Sequence, residues 1–234
     1  MTSMALRSLA LVTMLVDHLG YALGPVLLGD TAYLGMRLVG RLAMPIFCFL
    51  IAEGFFHTKS VGRYAGRLLL FGLVSEIPYD LFCTNGGSYF DFTQQNVYFT
   101  LLLGLTAIWL FDFFAGRNLK PLSLLAVFAC AAAAQLALTD YGMFGVALVF
   151  VCYCFRDNRN VRCVAIVVTC LLMGASRFLD PLNGSTWPIV IACAAVAAIP
   201  IYLYNGQPGR RGKGAQLAFY AFYPLHLLLI TLII

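Results

Sequence analysis

The stretch Leu9–Leu28 constrains this chain more than any other. It is about twenty apolar residues long, the length of a helix that crosses a bilayer, and it carries Asp17 and His18 at its middle. A carboxylate and an imidazole in hydrocarbon are costly unless they face a protein interior or a water-filled cavity. Ionisable groups then recur inside later apolar runs: Arg37, Arg41, Glu76, Asp80 and His226. A chain that buries this many such groups is expected to use them.

The rest of the sequence excludes a soluble domain. With 62% hydrophobic and 11% charged residues, there is too little charge to clothe a core of this size in a polar shell. The chain reads as a single integral-membrane domain over residues 1–234. The first apolar run is too long for a signal peptide and no small-residue cleavage site follows it, so it is expected to be a retained span. The eight cysteines form no C-x-x-C pair and sit mostly inside apolar runs, where small apolar fillers are expected rather than disulfides or metal ligands.

Nine apolar spans are predicted, at about 8–28, 33–56, 64–83, 96–115, 121–139, 141–155, 162–178, 187–205 and 215–234. The fold class is thus an all-α polytopic membrane protein, a bundle of about nine transmembrane helices. Loop charge alternates along it. Lys59 and Arg63, Arg117 and Lys120, Arg156, Arg159 and Arg162, and Arg210, Arg211 and Lys213 fall on four connections. The intervening ones offer Asp30, Asp91, Asp140 and Asp180, with Arg177. Basic connections stay cytoplasmic. The chain is therefore expected in the inner (cytoplasmic) membrane of the cell, with its N-terminus inside and its C-terminus outside.

Helix rise gives depth. His18 lies roughly 16 Å past Arg7, Glu76 about 14 Å past Arg67, Arg41 about 18 Å from Glu53 and His226 about 20 Å past Lys213, all at ~1.5 Å per residue. These groups are expected in one layer near the midplane, lining one cavity open to the cytoplasm. Arg37 and Arg41 share a helix face, as do Glu76 and Asp80, which predicts an ion-pair network between the two faces. Asp17 and His18 are adjacent and diverge by about 100°. His18 is a candidate general base, and His226 shares a face with Tyr223. Gln95 and Asn96 suit a helix cap or donors into a pocket. Asp140-Tyr141-Gly142 reads as a turn. No phosphate loop of the G-x-x-x-x-G-K type is present, and nothing points to nucleic acid.

Several motifs are recognisable together. The run Gly40-Arg41-Leu42-Ala43-Met44-Pro45-Ile46-Phe47-Cys48-Phe49-Leu50-Ile51-Ala52-Glu53-Gly54-Phe55 resembles a signature of the TraX family. So do Tyr64 with Arg67-Leu68, Ser75-Glu76-Ile77-Pro78-Tyr79-Asp80-Leu81, Gln95-Asn96-Val97 with Phe99-Thr100-Leu101, Asp140-Tyr141-Gly142 with Gly145, and Phe222-Tyr223-Pro224-Leu225-His226. The likeness runs from about Asp17 to the C-terminus. TraX-like proteins are similar to a wider group of integral-membrane acyltransferases, which includes the acyltransferase-three proteins and the lysosomal heparan glucosaminide N-acetyltransferase. The founding TraX role is N-acetylation of the terminal amine of conjugative pilin.

The resemblance implies transfer of an acetyl or other acyl group from acyl-coenzyme A to an amine or hydroxyl acceptor, which could be a peptide, a pilin or a small molecule, at the bilayer. Polyanionic acyl-CoA needs cations, with Lys59, Arg63 and Arg67 expected at its phosphates and Tyr223 in the same cavity. His18 or His226 would act as base, with Arg41 stabilising the oxyanion and Asp17, Glu76 and Asp80 completing the buried set. No metal is expected. Two other classes fit parts of the pattern. A proton-coupled transporter would also bury Asp, Glu and His, but no inverted repeat relates the halves. A non-catalytic membrane scaffold leaves the midplane layer without a role.

Overall fold

A computed structural model describes residues 1–176, 187–209 and 213–233. Arg177, Asp180, Arg210 and Arg211, on which part of the loop-charge reading rests, lie outside the described residues. The described chain is all helical: α1 Ser3–Leu28, α2 Asp30–Gly40, α3 Ala43–His57, α4 Val61–Cys83, α5 Val97–Ala115, α6 Lys120–Leu136, α7 Gly142–Cys154, α8 Arg159–Ser176, α9 Trp187–Ala192, α10 Ala198–Tyr202 and α11 Lys213–Ile233. A 3-10 turn, Cys193–Ala197, joins α9 to α10. Helix occupies each of the nine expected stretches. Four stretches, Ser3–Leu28, Asp30–His57, Val97–Ala115 and Arg159–Ser176, are long and apolar enough to cross a membrane.

Local chemistry sets the ends. Thr2, Ser60 and Asn96 each turn a side-chain oxygen onto a backbone N–H of the first turn, at Ala5, Arg63 and Tyr98, satisfying donors that a helix start leaves free. Gly24 adopts φ 64° and bends α1 just before Pro25. The expected second span is two helices. Pro45 has no N–H to give the Arg41 carbonyl and sits in the first turn of α3, where proline is tolerated. The chain therefore turns at Arg41-Leu42.

The core joins α1, α3, α5, α7 and α11 through Leu6, Ile46, Phe49, Leu105, Leu148 and Leu227, all essentially inaccessible. Close packing rests on small residues: a Cβ at Gly104 would come within 2.7 Å of Val149, the device by which membrane helices approach one another. Conversely, Leu69, Leu70, Leu73, Val74 and Ile77 form an exposed apolar stripe on α4, a face suited to lipid rather than water. All eight cysteines are free.

Contacts sort the connections into two ends. Ser3 N–H donates to the Gln207 carbonyl (2.8 Å) and Asn205 N–H to that of Met1 (2.9 Å). Tyr204 Oη donates to Glu53 (3.1 Å), Tyr153 Oη to Asp112 (2.8 Å), and the Arg156 guanidinium lies 4.0 Å over the Phe56 ring. The N-terminus and the basic connections thus share one end. At the other, Gln95 bridges Thr139 in a strand-like pair: Gln95 N–H donates to the Leu138 carbonyl (3.0 Å) and Asp140 N–H to that of Gln95 (2.8 Å).

Candidate functional site

Asp17 and His18 look in different directions and define two clusters. Asp17 faces α2. Its Oδ2 accepts from Arg37 Nη1 (2.9 Å) and from Arg41 Nη2. Arg37 Nη1 also donates to the Asp17 carbonyl (3.2 Å), and Arg41 Nε to the Arg37 carbonyl (3.4 Å). The expected pairing of these arginines with Glu76 and Asp80 is not what forms. The chain folds back at Gly29 so that α2 lies along α1, while α4 packs against α5 and α11, and Asp17 meets the guanidiniums first.

Glu76 instead accepts from Asn96 Nδ2, which also donates to the Gly72 carbonyl (2.9 Å). Asn96 therefore caps α5 with its oxygen and clamps α4 with its nitrogen. Asp80, buried, accepts the Asp91 N–H (2.9 Å) and anchors the loop after α4.

His18 faces α11. Its Nδ1 lies 2.6 Å from His226 Nε2, and His226 Nδ1 lies 2.8 Å from the Phe222 carbonyl. Phe82 and Tyr223 flank His18, with ring centroids at 5.3 and 6.1 Å. Pro224 prepares this region. It offers no N–H to the Tyr220 carbonyl four residues back, and Tyr98 Oη fills that vacancy from α5 at 2.8 Å.

Two cavities flank these groups. The first, about 170 Å3, is lined by Asp17, His18, Arg37, Arg41, Tyr79, Tyr223, Asp140 and Tyr141, and reaches the exposed Gln94. The second, about 300 Å3, is lined by Arg7, His57, Lys59, Tyr64, Arg67, Tyr98 and Tyr220 at the basic end. Phe47 lines both, and Tyr98 meets Tyr223 edge-on at 5.3 Å. The single cavity expected to hold His18, Arg41, Glu76 and His226 and to open at the basic end is thus divided. His18 and Arg41 line the cavity that reaches the other end. His226 stands directly behind His18. Glu76 lines neither cavity.

The basic cavity is electrostatically open. His57 pairs with Glu53 at 3.0 Å. Arg7, Lys59 and Arg67 meet no carboxylate within ion-pair reach among the described residues, and the Arg67 Nε is buried without a hydrogen bond. Lys59 and Arg67 flank this space. Arg63 points into solvent and does not line it.

Sequence reasoning missed Arg7 and the Asp140-Tyr141 pair. Tyr141 holds φ 66°, a left-handed conformation unusual for a bulky residue, and its ring lies 6.0 Å from the Arg41 guanidinium. Burial pushes the Asp140 carboxyl up to about 6, against the opposing pull of Arg41. The one signal for this pair was its place among the recognised motifs.

A helical bundle with an exposed apolar stripe, a part-buried histidine pair and two polar cavities fits an integral-membrane protein with an internal polar site. The chain belongs to the TraX family, whose model, described as "TraX protein", matches residues 3–234. It is 32% identical over 234 residues to a Dichelobacter nodosus protein described as "Probable fimbrial assembly protein FimC, serogroup H1", covering 96% of this chain and 92% of that one. It is 28% identical over 106 residues to "Uncharacterized protein RP591" of Rickettsia prowazekii (strain Madrid E), covering 45% of this chain and 36% of the relative. No solved structure matches it.

Proposed function

We propose that this chain is an integral-membrane acyltransferase that moves an acetyl or other acyl group from acyl-CoA to an amine. The observation that carries the reading is the position of His18. Its imidazole stands in the wall of one cavity, backed by His226 and neighboured by Arg41, with the cation-lined cavity on the far side of Phe47. The unpaired Arg7, Lys59 and Arg67 suit the coenzyme phosphates. The other cavity suits the acceptor. The family's role in pilin acetylation, and the fimbrial-assembly description of the Dichelobacter relative, favour the terminal amine of a pilin-like polypeptide.

In this reading the acceptor nitrogen attacks the thioester carbonyl carbon. The C–N bond forms, and the oxyanion is stabilised by Arg41 donors. The C–S bond then breaks. His18 takes the proton from the attacking amine and delivers it to the departing thiolate, so that amide and free thiol are the products. Asp17 holds Arg41 in place. Nine spans, a cytoplasmic N-terminus, an external C-terminus and residence in the inner membrane belong to the same proposal, since the coenzyme is cytoplasmic and the basic cavity shares its end with the basic connections.

The test uses purified protein in detergent, labelled acetyl-CoA and a peptide with a free terminal amine, without any ion gradient. Label should reach the peptide amine, and His18→Ala should abolish transfer while the protein stays folded. Transfer that survives loss of both His18 and His226 removes histidine base catalysis. No turnover of the thioester by folded wild-type protein removes the acyltransferase reading.

A further inference from the structure

We infer that His226 is a positioning residue that locks His18 into the tautomer whose Nε2 lone pair faces the cavity. The chemical consequence rests on the acyltransferase reading; the tautomer assignment does not.

A short hydrogen-bond chain has a fixed polarity here. The Phe222 carbonyl can only accept, so His226 Nδ1, at 2.8 Å, carries a proton and donates it. In neutral His226 that leaves Nε2 bare. A bare ring nitrogen also only accepts, so His18 Nδ1, at 2.6 Å, must be the protonated partner. The remaining lone pair of the two rings therefore lies on His18 Nε2. Among the described residues the His18 ring is hydrogen-bonded through Nδ1 alone, and His18 rather than His226 lines the cavity.

The geometry fits this assignment. The two imidazole planes differ by 17° with centroids 4.9 Å apart. With nitrogens only 2.6 Å apart, the rings meet edge to edge, so each lone pair points along the bond. The Phe222 ring lies 4.9 Å from that of His226 at 16°, and Tyr98 pins the adjacent Tyr220 carbonyl. His226 is thus fixed by its own helix before His18 meets it. The order of proton ownership is set by a backbone carbonyl that cannot reverse.

During transfer the proton leaves the acceptor amine for His18 Nε2. The resulting imidazolium keeps donating through Nδ1 to His226 Nε2, and the same Nε2 proton passes to the thiolate. His226 gains and loses nothing.

Glutamine can reproduce both of its bonds, accepting from His18 through the amide oxygen and donating to Phe222 through the amide nitrogen. Leucine can make neither. The experiment is long-range 15N–1H correlation on the imidazoles, which is tractable because the chain has three histidines, combined with steady-state kinetics. In wild-type protein His18 and His226 should both carry the proton on Nδ1, against the preference of free imidazole.

His226→Leu should shift His18 towards the Nε2–H form. It should lower kcat by up to about 10⁴-fold, the scale of a wrong-tautomer base, with KM for acyl-CoA little changed. His226→Gln should hold the Nδ1–H form and restore much of the lost rate. A thermal melt of each variant checks that it is folded. An Nε2–H tautomer at His18 in active wild-type protein overturns the lock, as does His226→Gln performing no better than His226→Leu. Wild-type tautomers as stated in a protein that turns over no thioester overturn the acyltransferase reading alone.

Discussion

A Cβ on Gly40 would overlap the side chain of Asp17. This contact explains why α2 can lie so close to α1 at the point where both arginines reach one carboxylate. Gly40→Ala must push Asp17 aside or part the helices. Overpacking of this kind costs about 1–3 kcal/mol, and the displaced carboxylate releases Arg41. Gly40→Ala should therefore melt lower in detergent and, if the proposed acyl transfer depends on Arg41, lose most of that transfer. Gly35→Ala, on the same helix with open space around it, should match wild type. Equal behaviour of the two variants would mean that the close approach is unimportant.

The ion cluster should behave as a unit. Removing Asp17 takes from Arg41 the carboxylate that its Nη2 meets, a loss of about 3–5 kcal/mol for a largely buried pair. In Asp17→Ala/Arg41→Met that cation is gone as well. A double-mutant cycle measured by reversible unfolding in mixed micelles should show coupling of about 1–3 kcal/mol. Additive effects would mean that the contact contributes nothing.

Much of this architecture was legible in the sequence, because the length of an apolar run and the side on which basic loops fall are one-dimensional properties. The break at Arg41-Leu42 was not read, although Pro45 carried the signal. The partner of the arginines was misread for a deeper reason. An i, i+4 spacing says that Arg37 and Arg41 share a face, but not which helix that face meets, and the hairpin at Gly29 decided it. Equal depth made contact between His18 and His226 possible, while the packing of α11 made it actual. Asp140 looked like punctuation because a turn residue and a cavity wall have the same composition.

Pro224 and Tyr98 should be coupled through one carbonyl. Tyr98 Oη satisfies the Tyr220 oxygen that proline leaves bare. Tyr98→Phe should cost about 1–2 kcal/mol by leaving a buried acceptor unpaired. In a Pro224→Ala background the backbone N–H at 224 can take that carbonyl, and the same substitution should cost much less. An unchanged cost would show that the hydroxyl serves something other than α11.

Asp140 supplies a pH dependence. Its carboxyl, ordinarily near 3.8, is raised to about 6 by burial. Between those values the folded protein holds a proton that the unfolded chain has released, so this residue's contribution to stability falls as pH rises through the window. Asp140→Asn removes the effect. Its stability should gain on wild type from pH 4 to about 7, by at most about 3 kcal/mol, and then run parallel. Paired melting curves across that range test it, and a constant difference at every pH would mean that Asp140 ionises normally.

The two cations first grouped with Arg67 should separate. Arg67 and Lys59 line the basic cavity, whereas Arg63 lies outside it, although all three belong to one short segment with the same charge. If the cavity itself receives the coenzyme, Arg67→Glu and Lys59→Glu each replace a charged contact worth about 1.5–3 kcal/mol. That is about 10- to 100-fold in KM for acyl-CoA, with kcat nearly preserved because the contact is equal in ground and transition states. Arg63→Glu should change KM by no more than about twofold, the residue of a screened surface charge. Titration with acyl-CoA at fixed ionic strength distinguishes the cases. If all three reversals raise KM alike, the coenzyme is attracted by the charge of the loop, and the cavity between Arg7 and Arg67 is not where its phosphates lie.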